Sequence, residues 1–228
     1  FYTYGENKNS NFQIININQT TNFSSFDIKI NIPSKKKIIK GIKIPMIGIH
    51  NIQNATAAVS LAFTIGLPEK YIKFGLYNFK GVERRFSHLF NHNNISFYDD
   101  YAHHPTEISS VLTGVKNVYK NKEVVCVFQP HRISRVINLK KEFSKCFKMA
   151  DIVLLCPIYT ANEKLRLNFT YDSFAKLIIK NSNVKLILVD DELQLRRFIK
   201  QNVFGEKIYI GMGAGSISNW MKNLKNIF

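Results

Sequence analysis

The sequence predicts an α/β protein whose C-terminal portion is a doubly wound, mostly parallel sheet. Three observations lead there. From about residue 94 onward, short apolar runs alternate with helical periods, the rhythm of strands joined by crossover helices. The run Val124-Val125-Cys126-Val127-Phe128 is apolar throughout, as a strand covered on both faces requires. Two of the runs also stop in clusters of ionisable side chains just before a helix: Asp99-Asp100-Tyr101-Ala102-His103-His104-Pro105 and Gln129-Pro130-His131-Arg132-Ile133-Ser134-Arg135. Open parallel sheets place their ligand groups there, outside the carboxyl ends of the strands. Two adjacent strand ends carrying two Asp, three His and two Arg predict a reaction centre.

Residues 1 to about 46 alternate apolar and polar, in 12–17, 26–32 and 38–44, with Asn, Ser, Thr, Pro and Lys between them. That period of two predicts short antiparallel strands. After Pro45 and Gly48 the small residues of 54–63 predict a helix that ends at Gly66, and a second helix starts at Pro68 with Tyr71, Phe74 and Leu76. Residues 79–86 then read as a linker. Beyond it come a strand at 95–98 and a helix from Pro105 with Ile108, Val111, Leu112, Val115 and Val118 on one face. After strand 124–128, Ser134 is placed to cap a helix that turns Val136, Leu139 and Phe143 inward. Strands at 152–155, 184–189 and 207–210 follow, with helices from about Tyr171, Asp191 and Ser216.

With 228 residues the chain can bury a sizeable core, and 45% of them are hydrophobic, as in a globular protein. No stretch is long and apolar enough to span a bilayer, and Cys126, Cys146 and Cys156 sit in apolar segments without CxxC spacing. The expectation is a soluble, cytoplasmic protein with reduced thiols and no membrane partner. The net charge of +16 invites a nucleic-acid reading. However, apart from Lys35-Lys36-Lys37 the basic residues are scattered among abundant Asn and Ile, the pattern of AT-rich coding drift. A solvated lysine surface and a preference for a polyanion such as a nucleotide both remain open, with no nucleic acid expected. The chain starts at Phe1 rather than Met, which points to a fragment, a processed product or a trimmed chain.

Each cluster has a bland and a chemical reading. Residues 99–104 could simply cap the next helix. They could also hold a metal, although adjacent His103 and His104 point apart and no HxH or HxxxH spacing occurs. Alternatively they contact substrate and nucleotide, with Asp100 positioning a ribose and Tyr101 and His103 lining a pocket. Arg132 and Arg135, three apart at a helix start, share a face and can fork onto carboxylate or phosphate. Asn51 and Asn54, three apart at another helix start, can serve adenine through their amides, or Asn51 can be an N-cap. Arg84-Arg85 is a weak signal in a linker. Gly211-Met212-Gly213-Ala214-Gly215 is read as a tight strand-to-helix turn that packs closely, and no G-x-x-x-x-G-K-[ST] occurs anywhere.

In order, GIHNIQNATAA, FKGVERRF, DDYAHHPTEI, VFQPHRISR, IYTANE and GMGAGSI resemble the Mur ligases, from about Tyr4 to the end of the chain. The resemblance implies an ATP-dependent amide-forming ligase of peptidoglycan synthesis, and so of cell-wall biogenesis, cell shape and division. It is nearest the branch that joins L-alanine to UDP-N-acetylmuramate through an acyl phosphate. A tripeptide-recycling branch, or a non-catalytic fragment or basic binding module, is the alternative. The resemblance implies nucleotide contacts at Asn51, Asn54, Arg84, Arg85 and Asp100. It also implies a substrate pocket of Tyr101, His103, His131, Arg132 and Arg135, with His103, Arg132 and Arg135 catalytic. Residues 1–84 would be the C-terminal part of the central ATPase domain, without its P-loop, and 86–228 a Rossmann-like C-terminal domain. ATP and Mg2+ would be the cofactors, with the metal ligands in a missing N-terminal portion and none in this chain, so that the chain alone is expected to be inactive. Departures from the family pattern are Ala102 for a commoner Gly, Glu83 before the arginine pair, Ile133 for an aromatic, and Asn162 for Gly in the YxAxE segment.

Overall fold

The computed structural model describes residues 1–33, 35–164 and 170–228, which form two compact units, Phe1–Gly81 and Val82–Phe228. In the first unit, strands β1 (Tyr4–Gly5), β2 (Phe12–Gln19), β3 (Ser24–Ile32) and β4 (Lys35–Ile44) make one sheet in the order β1-β2-β3-β4. The β2–β3 and β3–β4 pairs are antiparallel, as the alternation predicts, and β1 adds a parallel pair that the sequence does not signal. One sheet face buries Phe12, Ile14, Phe26, Ile28, Ile30, Ile39 and Ile42. Helix α1 (Ile49–Thr64) covers it with Ile52, Ala55 and Val59, and α2 (Glu69–Tyr77) with Ile72. Tyr71 and Phe74 of that helix are exposed.

The Asp27 carboxylate reaches irregularities in both neighbouring strands. It accepts 2.8 Å from the Asn16 amide, where β2 shifts register, and 2.7 Å from the Gly41 N–H, where β4 does. Asn16 and Gly41 both have positive φ, and the hydrogen bond from Asn16, ahead of that from Gly41, holds the Asp27 carboxyl below its ordinary value. Ile17, next to the register shift in β2, is exposed.

The second unit is a six-stranded sheet of β5 (Ser87–His92), β6 (Ile95–Asp100), β7 (Glu123–Phe128), β8 (Ile152–Leu155), β9 (Lys185–Leu188) and β10 (Lys207–Met212). Its order is β5-β6-β10-β7-β8-β9. β6 through β10 are parallel, the doubly wound class expected. β5 is an antiparallel edge strand that lies between the expected linker at 79–86 and the expected strand at 95–98 and was not anticipated. Its hairpin turns at Asn93, φ 52°, and Phe90 stacks on Phe97 with ring centroids 4.4 Å apart. The helices are α3 (Pro105–Val118), α4 (Ile133–Asn138), α5 (Lys140–Phe143), α6 (Tyr171–Ser182), α7 (Glu192–Gln201) and α8 (Ile217–Asn223).

Helix α3 buries Ile108, Val111, Leu112 and Val115 as its period requires, and starts with Pro105 behind a His104/Glu107 capping box. The three cysteines are free and buried. No helix among the described residues is long and apolar enough to cross a membrane. Phe97 is fully buried between Phe90 and Tyr209, so Phe97→Ala is expected to cost the second unit about 3–5 kcal/mol, read by denaturant unfolding.

Candidate functional site

β6 and β7 are not neighbours. β10 runs between them, with Met212 in register with Asp100 on one side and Phe128 on the other. Three strand ends therefore finish level, and the expectation of two adjacent ends becomes a triplet with the glycine turn in the middle. The turn must be small to fit. A Cβ on Gly213, φ 149°, would lie 2.6 Å from the Gln129 carbonyl oxygen. A Cβ on Gly215 would lie 2.6 Å from the Tyr159 ring.

Gln129, 3% exposed, braces this turn. Its Oε1 accepts the Ile217 N–H at 3.0 Å, and its amide nitrogen donates to Ser216 Oγ at 3.0 Å. Its backbone N–H donates to the Met212 carbonyl at 2.9 Å, and the Gly213 N–H to the Asp100 carbonyl at 3.2 Å. Sequence reasoning passed over Gln129. The signal was a buriable amide directly after an apolar strand, with a glycine turn elsewhere that needs partners.

Over this floor the side chains converge. Tyr101 and His103 leave the end of β6 edge to face, 5.0 Å apart, and the His103 ring meets that of His131 at 6.0 Å. His131 stacks on Tyr159 at 5.5 Å, and Arg135 Nη1 lies 3.4 Å from His131 Nδ1. Arginine can only donate, so Nδ1 accepts and the proton of neutral His131 sits on Nε2. Burial, then the Arg135 charge, pushes the His131 pKa down and favours that neutral form.

Arg132 takes φ 66° just before α4, and its N–H donates to the Tyr159 carbonyl at 2.9 Å. Its side chain is exposed, and no hydrogen bond or ion pair among the described residues holds the guanidinium. Ser134 is not the cap. It lies inside α4, where Glu163 takes both its N–H and its hydroxyl. His104 caps α3.

The residues expected at the nucleotide fare differently. Asp100 is buried, and its two oxygens accept the N–H groups of Ala102 and Phe86, each at 2.7 Å. It therefore fastens the entry at Phe86 to the end of β6. Burial outweighs those two bonds and pushes its pKa up to about 6. Arg84 turns inward. Its guanidinium donates to the Gly213 carbonyl at 2.6 Å, its Nε lies 3.4 Å from Asp99, and it stacks over the Tyr101 ring at 4.8 Å. Arg85 is the exposed member of the pair. In the first unit, Asn51 is the third residue of α1 rather than its N-cap, and its buried amide donates to the Ile47 carbonyl at 2.7 Å, whereas Asn54 is exposed. Among the described residues, no group of three or more His, Cys, Asp or Glu could hold a metal ion.

Two family models match the chain: the Mur ligase glutamate ligase domain over residues 84–215 and the Mur ligase middle domain over residues 1–62. The chain belongs to the Mur ligase family. A UDP-N-acetylmuramate–L-alanine ligase of Pelagibacter ubique is 58% identical over 228 residues, which are all of this chain and 49% of that protein. One of Rickettsia canadensis is 38% identical over 99% of this chain and 49% of its own length. Among solved structures, a UDP-N-acetylmuramate–alanine ligase of Thermotoga maritima superposes with TM-score 0.77 at 25% identity, covering 99% of this chain and 47% of that one. The chain thus spans about half the length of the curated relatives it matches.

Asp100 makes a pH prediction. Its folded pKa, about 6, lies above the ordinary carboxylate value, so the folded state binds the extra proton. This contribution is fully present below about pH 4 and is lost as pH rises through 6, by up to about 3 kcal/mol. Unfolding free energy measured from pH 4 to 7 should fall accordingly in the wild type, and Asp100→Asn should flatten that fall. The same variant should start about 1–3 kcal/mol lower at pH 4, because one backbone N–H loses its acceptor.

Proposed function

We propose that the chain is part of an ATP-dependent ligase that joins L-alanine to UDP-N-acetylmuramate, acting in the cytoplasm in peptidoglycan synthesis. The observation that carries this reading is the meeting of Tyr101 and His103 with His131 and Arg135 at the strand ends, with the exposed Arg132 next to His131 in the chain. In such a ligase the γ-phosphoryl of ATP passes to a muramoyl carboxylate oxygen and ADP leaves. The L-alanine amine then attacks the acyl carbon, and the tetrahedral intermediate expels phosphate and loses a proton. Negative charge grows on the acyl and phosphoryl oxygens throughout, so the reaction needs fixed cations and N–H donors.

Arg132 and Arg135 supply the cations, and His131 presents its Nε2–H. His103 and Tyr101 close the side of the pocket that receives the amino acid. For a nucleotide, the second unit offers the exposed Arg85, with Arg84 and Asp100 supporting from beneath, and the first unit, taken by itself, offers Asn54 and the remaining amide capacity of Asn51. No P-loop pattern occurs in the sequence, and the described residues offer no three-ligand metal group. In this reading the Mg2+ that such ligases use is held outside these residues, where it would offset the phosphate charge. In this reading residues 1–84 are the end of the ATP-binding middle domain and 86–228 the domain that brings the amino acid.

The test joins the chain to the remaining half of the Pelagibacter relative. Phosphate release should then require both UDP-N-acetylmuramate and L-alanine, whereas the 228-residue chain alone should not turn over ATP. Equal turnover with a tripeptide in place of L-alanine would move the assignment to the recycling branch. In the joined enzyme, Arg132→Ala should lower kcat/KM by at least about 10²-fold. Near-normal kinetics would return that arginine to the solvated surface.

A further inference from the structure

We propose that Glu163 is a positioning residue for the Arg132–Arg135 pair, clamping the first turn of α4 through Ser134. The proposal rests on the reading of those arginines as the charge-stabilising groups of a ligase. Both Glu163 oxygens are engaged: Oε2 accepts the Ser134 N–H at 2.9 Å, and Oε1 accepts its hydroxyl at 2.7 Å. Ser134 lies between the two arginines, so fixing its backbone and side chain together fixes the turn from which both guanidinium stems leave.

The loop that carries Glu163 is tied to the same turn at its other end. The Tyr159 N–H donates to the Pro130 carbonyl at 2.8 Å, and the Arg132 N–H donates to the Tyr159 carbonyl at 2.9 Å. The Tyr159 ring then lies flat against His131. Residues 159–163 thus grip 130–134 from both sides. The grip opposes a backbone that is otherwise costly, since Arg132 has φ 66°, a region that long L side chains adopt with strain.

The delivery of Glu163 also accounts for a departure from the family pattern. Ala161 has φ 51° and Asn162 φ 68°, and the Glu163 N–H closes the turn onto the Thr160 carbonyl at 3.1 Å. Asn is among the few non-glycine residues that tolerate the left-handed region, so it stands at 162 without dislodging its neighbour. The carboxylate is also close enough to Arg132 for that charge to help hold it ionised, after the two bonds from Ser134. An ionised Glu163 keeps the guanidinium near α4 without an ion pair that a substrate anion would have to break.

The joined enzyme tests this. Glu163→Ala should lower kcat about 10- to 100-fold, the cost of misplacing a catalytic group by a fraction of its bond reach, with KM for ATP unchanged. Glu163→Gln, which keeps one acceptor for Ser134, should recover most of the loss. Asn162→Val, which disfavours the left-handed turn, should reproduce part of it. Ser134→Ala added to Glu163→Ala should cost little more, because both act through one contact. The thermal midpoint of the 228-residue chain should stay close to wild type, and a midpoint that falls along with activity would overturn the clamp in favour of a folding defect. Arg132→Ala separates the layers. If it is silent, the ligase reading of the cluster fails and the clamp fails with it. If it is slow while Glu163→Ala is normal, or if the Ser134 and Glu163 losses multiply, only the clamp is overturned.

Discussion

The close approach of the β10 glycine turn to Gln129 is the constraint on which the second unit depends. β10 is the last strand in the chain and lies near the middle of the sheet, so β6 and β7 cannot be bridged directly. Whatever joins their ends must be thin enough to pass beneath a tyrosine ring and must satisfy its own backbone. Two glycines provide the thinness and one buried amide provides the partners. A side chain larger than hydrogen at 213 or 215 would push Gln129 or Tyr159 aside, and the aromatic wall of the cluster would move with them.

Arg84 shows how the same constraint reaches the chain's approach to the sheet. Its contacts run to the carbonyl of Gly213, to Asp99 and to the face of Tyr101, while Asp100 holds the backbone of Phe86. Both residues look, in a list of polar positions, like groups waiting for a ligand. In three dimensions their charge is spent on holding the pocket's floor together. A guanidinium that bonds a carbonyl and stacks on a ring is rigid, and rigidity beneath a pocket preserves the placement of the groups above it.

Much of this fold was legible from periodicity. The apolar strand 124–128 and the single-faced helix α3 follow from spacing alone, because burial on two faces or on one stripe leaves a clear pattern. β5 was not legible, since Ser-His-Leu-Phe-Asn-His is an edge strand with mixed faces whose register shifts midway. β1 was not either, being two residues long. The cluster at the strand ends was visible as a local density of ionisable groups. The insertion of β10 between them was not, because strand order is a long-range property that no local pattern encodes. The split roles of Arg84 and Arg85 were hidden for a related reason. The backbone at Arg84 has φ 61°, which turns one side chain of the adjacent pair inward and leaves the other in solvent.

The lysines of β4 carry a consequence beyond charge counting. Among the described residues β4 is the outermost strand of its sheet, and five of its ten residues are lysines (35, 36, 37, 40 and 43), all exposed. An open edge rich in isoleucine would template the addition of another molecule's strand, the first step toward aggregates. Lining that edge with like charges makes each copy repel the next at the only distance where backbone pairing could start. Part of the +16 excess is in this sense insulation of an isoleucine-rich edge.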